Sequence, residues 1–271
     1  MSVSTAPSIL GQTARGFQTQ ARVIGALVLR ELHTRYGREN IGYLWVIGEP
    51  MILASVITLI HLNQPTHFAS DIEPAPFAIL GYTIFIIFRN TFNRAEGAIE
   101  QGQPLLYHRM VNVFDILFAR MLMEILGCFA TTVVLLTLAI ALGYASVPVR
   151  PLYLITAALL MGWWTFGLTL IAASLTYRSE TMARQLHVIS YFSIPVSGAF
   201  FQLSWLPVGL RDKLQWFPMT LIFEQARYGQ FRSASFEYVD PAYVAAWCAG
   251  FTYVGLLLSR RVRNKLSLIH I

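Results

Sequence analysis

Charge is the scarcest property of this sequence. Asp, Glu, Lys and Arg together make up 13% of its 271 residues, about half of the roughly 25% found in an average soluble domain. A fully hydrated surface around a chain of this length is therefore excluded. Cysteine is nearly as scarce. Cys128 and Cys248 both lie in apolar runs, which suits small-hydrophobe packing and leaves no disulfide framework. Blocks of Lys or Arg are missing, which argues against a nucleic-acid partner, and neither an internal repeat nor a low-complexity segment is found. The first 22 residues are polar and lack an apolar core, so no cleaved secretory signal is expected and the first membrane helix has to target the chain.

Catalytic constellations are missing as well. Neither His-Glu-x-x-His nor Cys-x-x-Cys occurs, which removes the usual zinc spacings. An intramembrane hydrolase of the rhomboid type needs Gly-x-Ser-Gly and a later histidine, but Ser197-Gly198 follows Pro195-Val196 and the last apolar run has no histidine. A P-loop places Lys and Ser/Thr directly after its second glycine; Gly37 and Gly42 have the spacing, but Tyr43 follows. No catalytic residue, metal or cofactor is expected in this chain, and any ATP-driven work would use ATP hydrolysed by a separate chain.

What is present is apolar: 55% of the residues are hydrophobic. A membrane-spanning helix needs about 20 such residues, and six stretches qualify: 41–62, 76–92, 121–143, 152–174, 186–203 and 242–259. The expected fold is an all-α membrane protein of one domain with six transmembrane helices. Lys and Arg collect on the cytoplasmic side of a membrane. Fourteen of them fall in the two termini and the even-numbered links, against five on the other side, with Arg89 inside the second span. Both termini are therefore expected to be cytoplasmic.

Three other pieces stand out. Residues 15–40 hold an amphipathic helix suited to a membrane surface, with Ile24, Leu27, Val28 and Leu32 on one face, Arg22, Arg30 and His33 opposite, and Glu31 and Arg35 intruding. The polar link 93–120 is long enough for a cytoplasmic helix parallel to the membrane and ends amphipathically from Val113 to Arg120. The segment 204–241 is aromatic, and its apolar stretch Trp216–Phe223 is too short to span. A re-entrant hairpin bounded by Pro207 and Pro218 is expected there.

Charges within apolar spans are costly unless paired or facing water. Glu49 lies roughly 12 Å from the cytoplasmic edge and Arg89 about 10 Å from the same edge, so an ion pair between the first two spans is expected. The alternative is that Arg89 snorkels to the headgroups and Glu49 lines a helix interface beside Pro50. Glu49-Pro50 is also a broken-helix feature of the kind a small secondary transporter uses for a coupling ion.

Several strings are similar to the membrane subunit of type-2 ABC exporters of the capsular polysaccharide export family of Gram-negative bacteria. They are Arg30-Glu-Leu-His-Thr-Arg-Tyr-Gly-Arg-Glu-Asn-Ile-Gly-Tyr-Leu-Trp45 through Glu49-Pro50, Pro104-Leu-Leu-Tyr-His-Arg-Met-Val111 with Ala119-Arg120, Pro195-Val-Ser-Gly-Ala-Phe-Phe201, and Pro218 followed by Glu224 and Arg227. Phe217 stands where asparagine is usual in the family. The resemblance implies a homodimeric permease of the bacterial inner membrane, with two ATPase subunits that bind ATP and Mg. It also implies a lipid-linked polysaccharide cargo and further periplasmic and outer-membrane components. On that reading Arg30, Glu31, Arg35, Arg38, Pro104, His108, Arg109, Asp115 and Arg120 couple to the ATPase, and Trp205, Trp216, Phe217, Glu224 and Arg227 form an outer gate.

Aromatic rings suit a sliding sugar polymer, offering apolar area to its C–H faces and a polar tip to its hydroxyls. Candidates for the path are Tyr43, Trp45, Tyr82, Trp163, Trp164, Tyr191, Phe200 and Phe201, with Glu49 and Arg89. An interfacial aromatic belt and core packing are the competing roles. Export of O-antigen or teichoic-acid glycans by the same fold is the nearest alternative.

Overall fold

The computed structural model describes residues 9–36, 44–62, 71–106, 111–177 and 179–269, which contain helices and no strand. In chain order they are α1 (Ile9–Tyr36), α2 (Trp45–Leu62), α3 (Pro74–Asn93), α4 (Ala98–Leu106), α5 (Val113–Ala141), α6 (Pro151–Thr176), α7 (Glu180–Phe192), α8 (Ile194–Ser197), α9 (Val208–Leu214), α10 (Pro218–Gln230) and α11 (Pro241–Ile269), with a 3-10 turn at Leu203–Trp205. Proline sets several of the starts. Pro74, Pro151, Pro218 and Pro241 each open a helix, where the missing N–H is no loss and the fixed φ is already helical.

Helix α3 is the axis of the bundle, with both of its faces buried from Ala75 to Phe88. A helix apolar all round belongs inside a protein, and α2, α5 and α6 pack around it. Helices α6 and α11 make the most extensive pairing, and glycine permits it. A Cβ on Gly255 would lie 2.5 Å from Leu170 Cβ, and one on Gly167 would lie 2.8 Å from Phe251 Cβ. Small residues bring membrane helices to close range in this way. Both cysteines are buried in the core, as their apolar settings predict.

Among the described residues four helices are long and apolar enough to cross a membrane: α3, α5, α6 and the Pro241–Val262 part of α11; α2 is a shorter apolar helix. The fifth expected span, 186–203, is not one helix. Helix α7 ends at Phe192, Pro195 sits within the single turn of α8, and Gly198 at φ 89° turns the chain, a conformation that side chains with a Cβ resist. The 93–120 link also divides differently. Its helix is the nine-residue α4, and the amphipathic end Val113–Arg120 forms the first two turns of α5.

The aromatic segment 204–241 holds α9 and α10. Pro207 precedes α9 and Pro218 opens α10, which is buried along nearly its whole length against α6, α11 and α3. The Pro50 break in α2 is accommodated, with Thr131 on α5 donating to the Ile47 carbonyl at 3.1 Å. Threonine side chains commonly meet backbone groups beside such breaks.

Candidate functional site

A cleft of about 1030 Å³ opens where α1, the α3–α4 corner, and the adjoining ends of α5, α6 and α7 converge. Its walls carry both signs of charge: Arg30, Arg94, Arg120 and Arg184 face Glu31, Glu96 and Glu100. Helix α1 is held to this corner by Leu27, which packs on Ile116 and Ala119 of α5 with Val23 and Val28 alongside. The intrusion of Glu31 on that apolar face has a reason: Arg120 stands opposite, 3.4 Å away, and both side chains are largely buried.

Arg120 is the hub of the cleft. Besides the Glu31 pair, it donates to Gln101 Oε1 of α4 at 3.2 Å and to the Arg94 carbonyl at 3.5 Å. One guanidinium thus touches α1, α4 and the end of α3 from its seat on α5, the kind of planar five-donor fork that arginine supplies. Arg94 in turn pairs with Glu124 at 3.3 Å, and Asn90 donates to the same carboxylate at 3.1 Å. A second link, between His187 of α7 and Glu96, spans 3.1 Å on the exposed side.

Of the residues expected to couple to an ATPase, Arg30, Glu31 and Arg120 line this cleft. Asp115 does not. It caps α5 by accepting from the Asn112 N–H at 2.9 Å, takes a hydrogen bond from Gln20 of α1, and borders a smaller crevice with Ser259 and Arg260. Arg35 lies in α1 and Pro104 in α4, but their side chains, like Arg38, His108, Arg109 and Tyr43 as a whole, fall outside the described residues.

The expected pair between Glu49 and Arg89 does not form. Arg89 donates to the Tyr191 hydroxyl at 2.7 Å and lies 4.7 Å from that ring's centre. Glu49 sits on the outward stripe of α2 with Trp45, Ile52, Leu53 and Val56. Glu49 is exposed at the edge of a small crevice that also holds Asn90 of α3 and Glu124 of α5, while the Arg89 guanidinium is engaged by Tyr191 of α7.

The expected path residues do not share one surface. Trp45, Glu49 and Tyr191 are exposed, and Phe200 and Phe201 are half-buried. Tyr82 and Trp164 are buried in the core, Trp164 against Phe217 and Phe251. Trp163 faces outward and donates to Thr252 at 3.2 Å.

At the α9–α10 end the expected gate residues separate into a buried clasp and its rim. Glu224 Oε1 accepts from the Leu203 N–H at 2.9 Å and from Arg227 at 3.0 Å. Arg227 also donates to the Gly198 carbonyl and, at 3.2 Å, to that of Ala199, while its guanidinium lies 4.4 Å from the Phe77 ring centre. Phe77 stacks on Trp205. Phe217 precedes α10 without a side-chain cap and turns its ring to the edge of Trp164, so packing replaces the hydrogen bond an asparagine would make. Trp216 is exposed, and its carbonyl accepts from Tyr243 at 2.9 Å.

Sequence reasoning missed Arg94 and Gln101 in the cleft, Asn90 and Glu124 in the crevice behind it, and Phe77 in the clasp. Glu124 had a signal: it is a carboxylate inside the apolar run 121–143, the same feature that drew attention to Glu49.

Comparisons with known proteins agree with this architecture. Residues 22–231 match the family described as ABC-2 type transporter. The chain is 37% identical to the capsule polysaccharide export inner-membrane protein CtrC of Neisseria meningitidis serogroup B over 225 residues, 83% of this chain and 85% of CtrC. It is 31% identical to the capsule polysaccharide export inner-membrane protein BexB of Haemophilus influenzae, covering 88% of this chain and 90% of BexB. Against the polysialic acid transport protein KpsM of Escherichia coli the identity is 30%, over 90% of this chain and 95% of KpsM. With most of its length matched, the chain belongs to the ABC-2 type transporter family.

Proposed function

We propose that this chain is the membrane-embedded permease of an exporter that carries a lipid-linked capsular polysaccharide across the inner membrane, driven by ATP hydrolysis on separate, Mg-dependent ATPase subunits. The observation that carries the reading is the charged cleft at the α1 end. There an amphipathic helix, a short helix and the ends of three longer ones are tied through Arg120, which gives a docked motor a single rigid corner to push. The relatives named for capsule polysaccharide export supply the cargo class.

In this reading α2 and the interrupted α7–α8 segment add two passes to the four long apolar helices. Both termini and the cleft lie on the cytoplasmic side, and the α9–α10 end lies outside. The chain works as a homodimer. The outward stripe of α2 carries Glu49 among large exposed apolar residues, and a carboxylate is costly against lipid, so that stripe faces the second copy or the path between the two. Arg89 with Tyr191, Trp45 and the half-buried Phe200 and Phe201 offer the polymer weak, repeated contacts, and the Glu224–Arg227 clasp holds the outer closure.

Deletion of the gene in its own encapsulated host, followed by fractionation and glycan staining of thin sections, tests the reading. Polymer trapped in the cytoplasm and restored to the surface by the intact gene is the expected outcome. Normal surface polymer in the deletion strain overturns it.

A further inference from the structure

The ion pairs of the cleft continue past Arg120 into the buried part of the bundle. The Arg94 backbone carbonyl accepts from Arg120, and the Arg94 side chain pairs with Glu124 at 3.3 Å. Glu124 is buried on α5, with Asn90 of α3 as a second donor at 3.1 Å. On its other side Glu124 borders a small crevice shared with Val46, Glu49 and Pro50 of α2 and Gly127 of α5. The two helices lie close together one turn further along α5: a Cβ on Gly127 would lie 2.8 Å from Val46 Cγ1 and 3.1 Å from its carbonyl oxygen.

We infer that Glu124 is a positioning residue that carries displacement of the cleft to the start of α2. The chain of contacts runs from Glu31 of α1 through Arg120, Arg94 and Glu124, and then along one turn of α5 to Gly127, whose backbone meets Val46 at the start of α2. Every link up to Glu124 is an ion pair or a hydrogen bond to an arginine, and charge-assisted contacts resist separation more than neutral ones. The last link is a tight backbone approach, which transmits displacement because packed surfaces do not compress. Glu124 thereby fixes the Arg94 corner relative to α2. Without its charge, movement of α1 and α4 is absorbed at the α3–α4 turn. The functional meaning of this link rests on the exporter reading above, whereas the mechanical link stands on the contacts alone.

The test is a double-mutant cycle on the full chain in lipid nanodiscs, read by amide hydrogen exchange. Arg120→Gln perturbs the cleft, and its effect on exchange in α1, α4 and the first turns of α2 is compared in the wild-type and Glu124→Gln backgrounds. We expect Arg120→Gln to speed exchange about tenfold at α1, α4 and the start of α2 in the wild type. In Glu124→Gln the effect at α1 and α4 remains and the effect at α2 is lost. Equal effects at α2 in both backgrounds overturn the inference. The charge-swapped pair Arg94→Glu with Glu124→Arg guards against simple misfolding, since restored transmission to α2 supports the link and persistent loss overturns it. In the assembled complex, Glu124→Gln should lower polymer exported per ATP hydrolysed, and an unchanged ratio overturns the coupling role. A wild-type complex that exports no polymer counts against the proposed function instead, and the exchange cycle still decides the link.

Discussion

Arg227 and Glu224 are each about as buried as a side chain can be, and each is the other's charge partner. Removing one member of such a pair leaves an uncompensated buried charge, typically worth about 3–5 kcal/mol, whereas replacing both with apolar or neutral groups of similar volume often costs little. Arg227→Met is therefore expected to lower thermal stability in detergent more than the double variant Glu224→Gln with Arg227→Met, as differential scanning fluorimetry would register. Asp71 gives a residue-scale pH dependence on the same side of the molecule. Ser233 holds the Asp71 pKa below the ordinary aspartate value of 3.8, chiefly through a hydrogen bond from the serine side chain and further through its N–H, which donates to the carboxylate at 2.8 Å. A depressed carboxylate pKa stabilises the folded state fully above the ordinary value and loses that contribution as pH falls through the lowered one. Protection of the Ser233 amide should therefore fall as the pH drops below about 4, and Asp71→Asn should flatten that dependence.

Among the elements, the long helices were readable because their cause is local. The runs 76–92, 121–143, 152–174 and 242–259 are apolar for long enough to be helices on length alone; α3, α6 and α11 contain three of them, and α5 covers the other up to Ala141. The run 186–203 satisfies the same rule and still breaks around Pro195 and Gly198, where Arg227, some 30 residues away, holds the carbonyls of Gly198 and Ala199. The Glu49–Arg89 pairing failed in a related way: depth along a helix follows from residue count, but the partner a side chain meets is set by neighbours, here Tyr191 for Arg89. The hub role of Arg120 was half legible, since its position was expected to couple while its partners, Gln101 of α4 and the Arg94 carbonyl at the α3–α4 corner, follow from no sequence pattern. At this scale the α6–α11 seam makes its own prediction. Gly255→Val places methyl groups where Leu170 Cβ already stands, and overpacking of this kind typically costs 1–3 kcal/mol. The variant should melt lower than wild type, and Leu170→Ala, which keeps the Cβ that clashes and empties buried volume, should not recover the loss.

Seen whole, the molecule has a charged, wet end at the cleft and a dry clasp at the other, with α3 running between them. Every side of α3 is covered by protein, which lets it carry Thr83, Arg89, Asn90 and Thr91 without exposing them broadly to lipid. That enclosure bears on how the chain is made. A helix whose final environment is other helices has little to gain from entering lipid alone, so α3 is expected to wait beside the insertion machinery until α5 and α6 emerge. A chain cut after residue 112 should leave α3 accessible to water-borne thiol reagents at an engineered cysteine. A chain extended to Thr176 should protect it. The order of synthesis, rather than the apolarity of α3 itself, would then decide when this segment becomes a membrane helix.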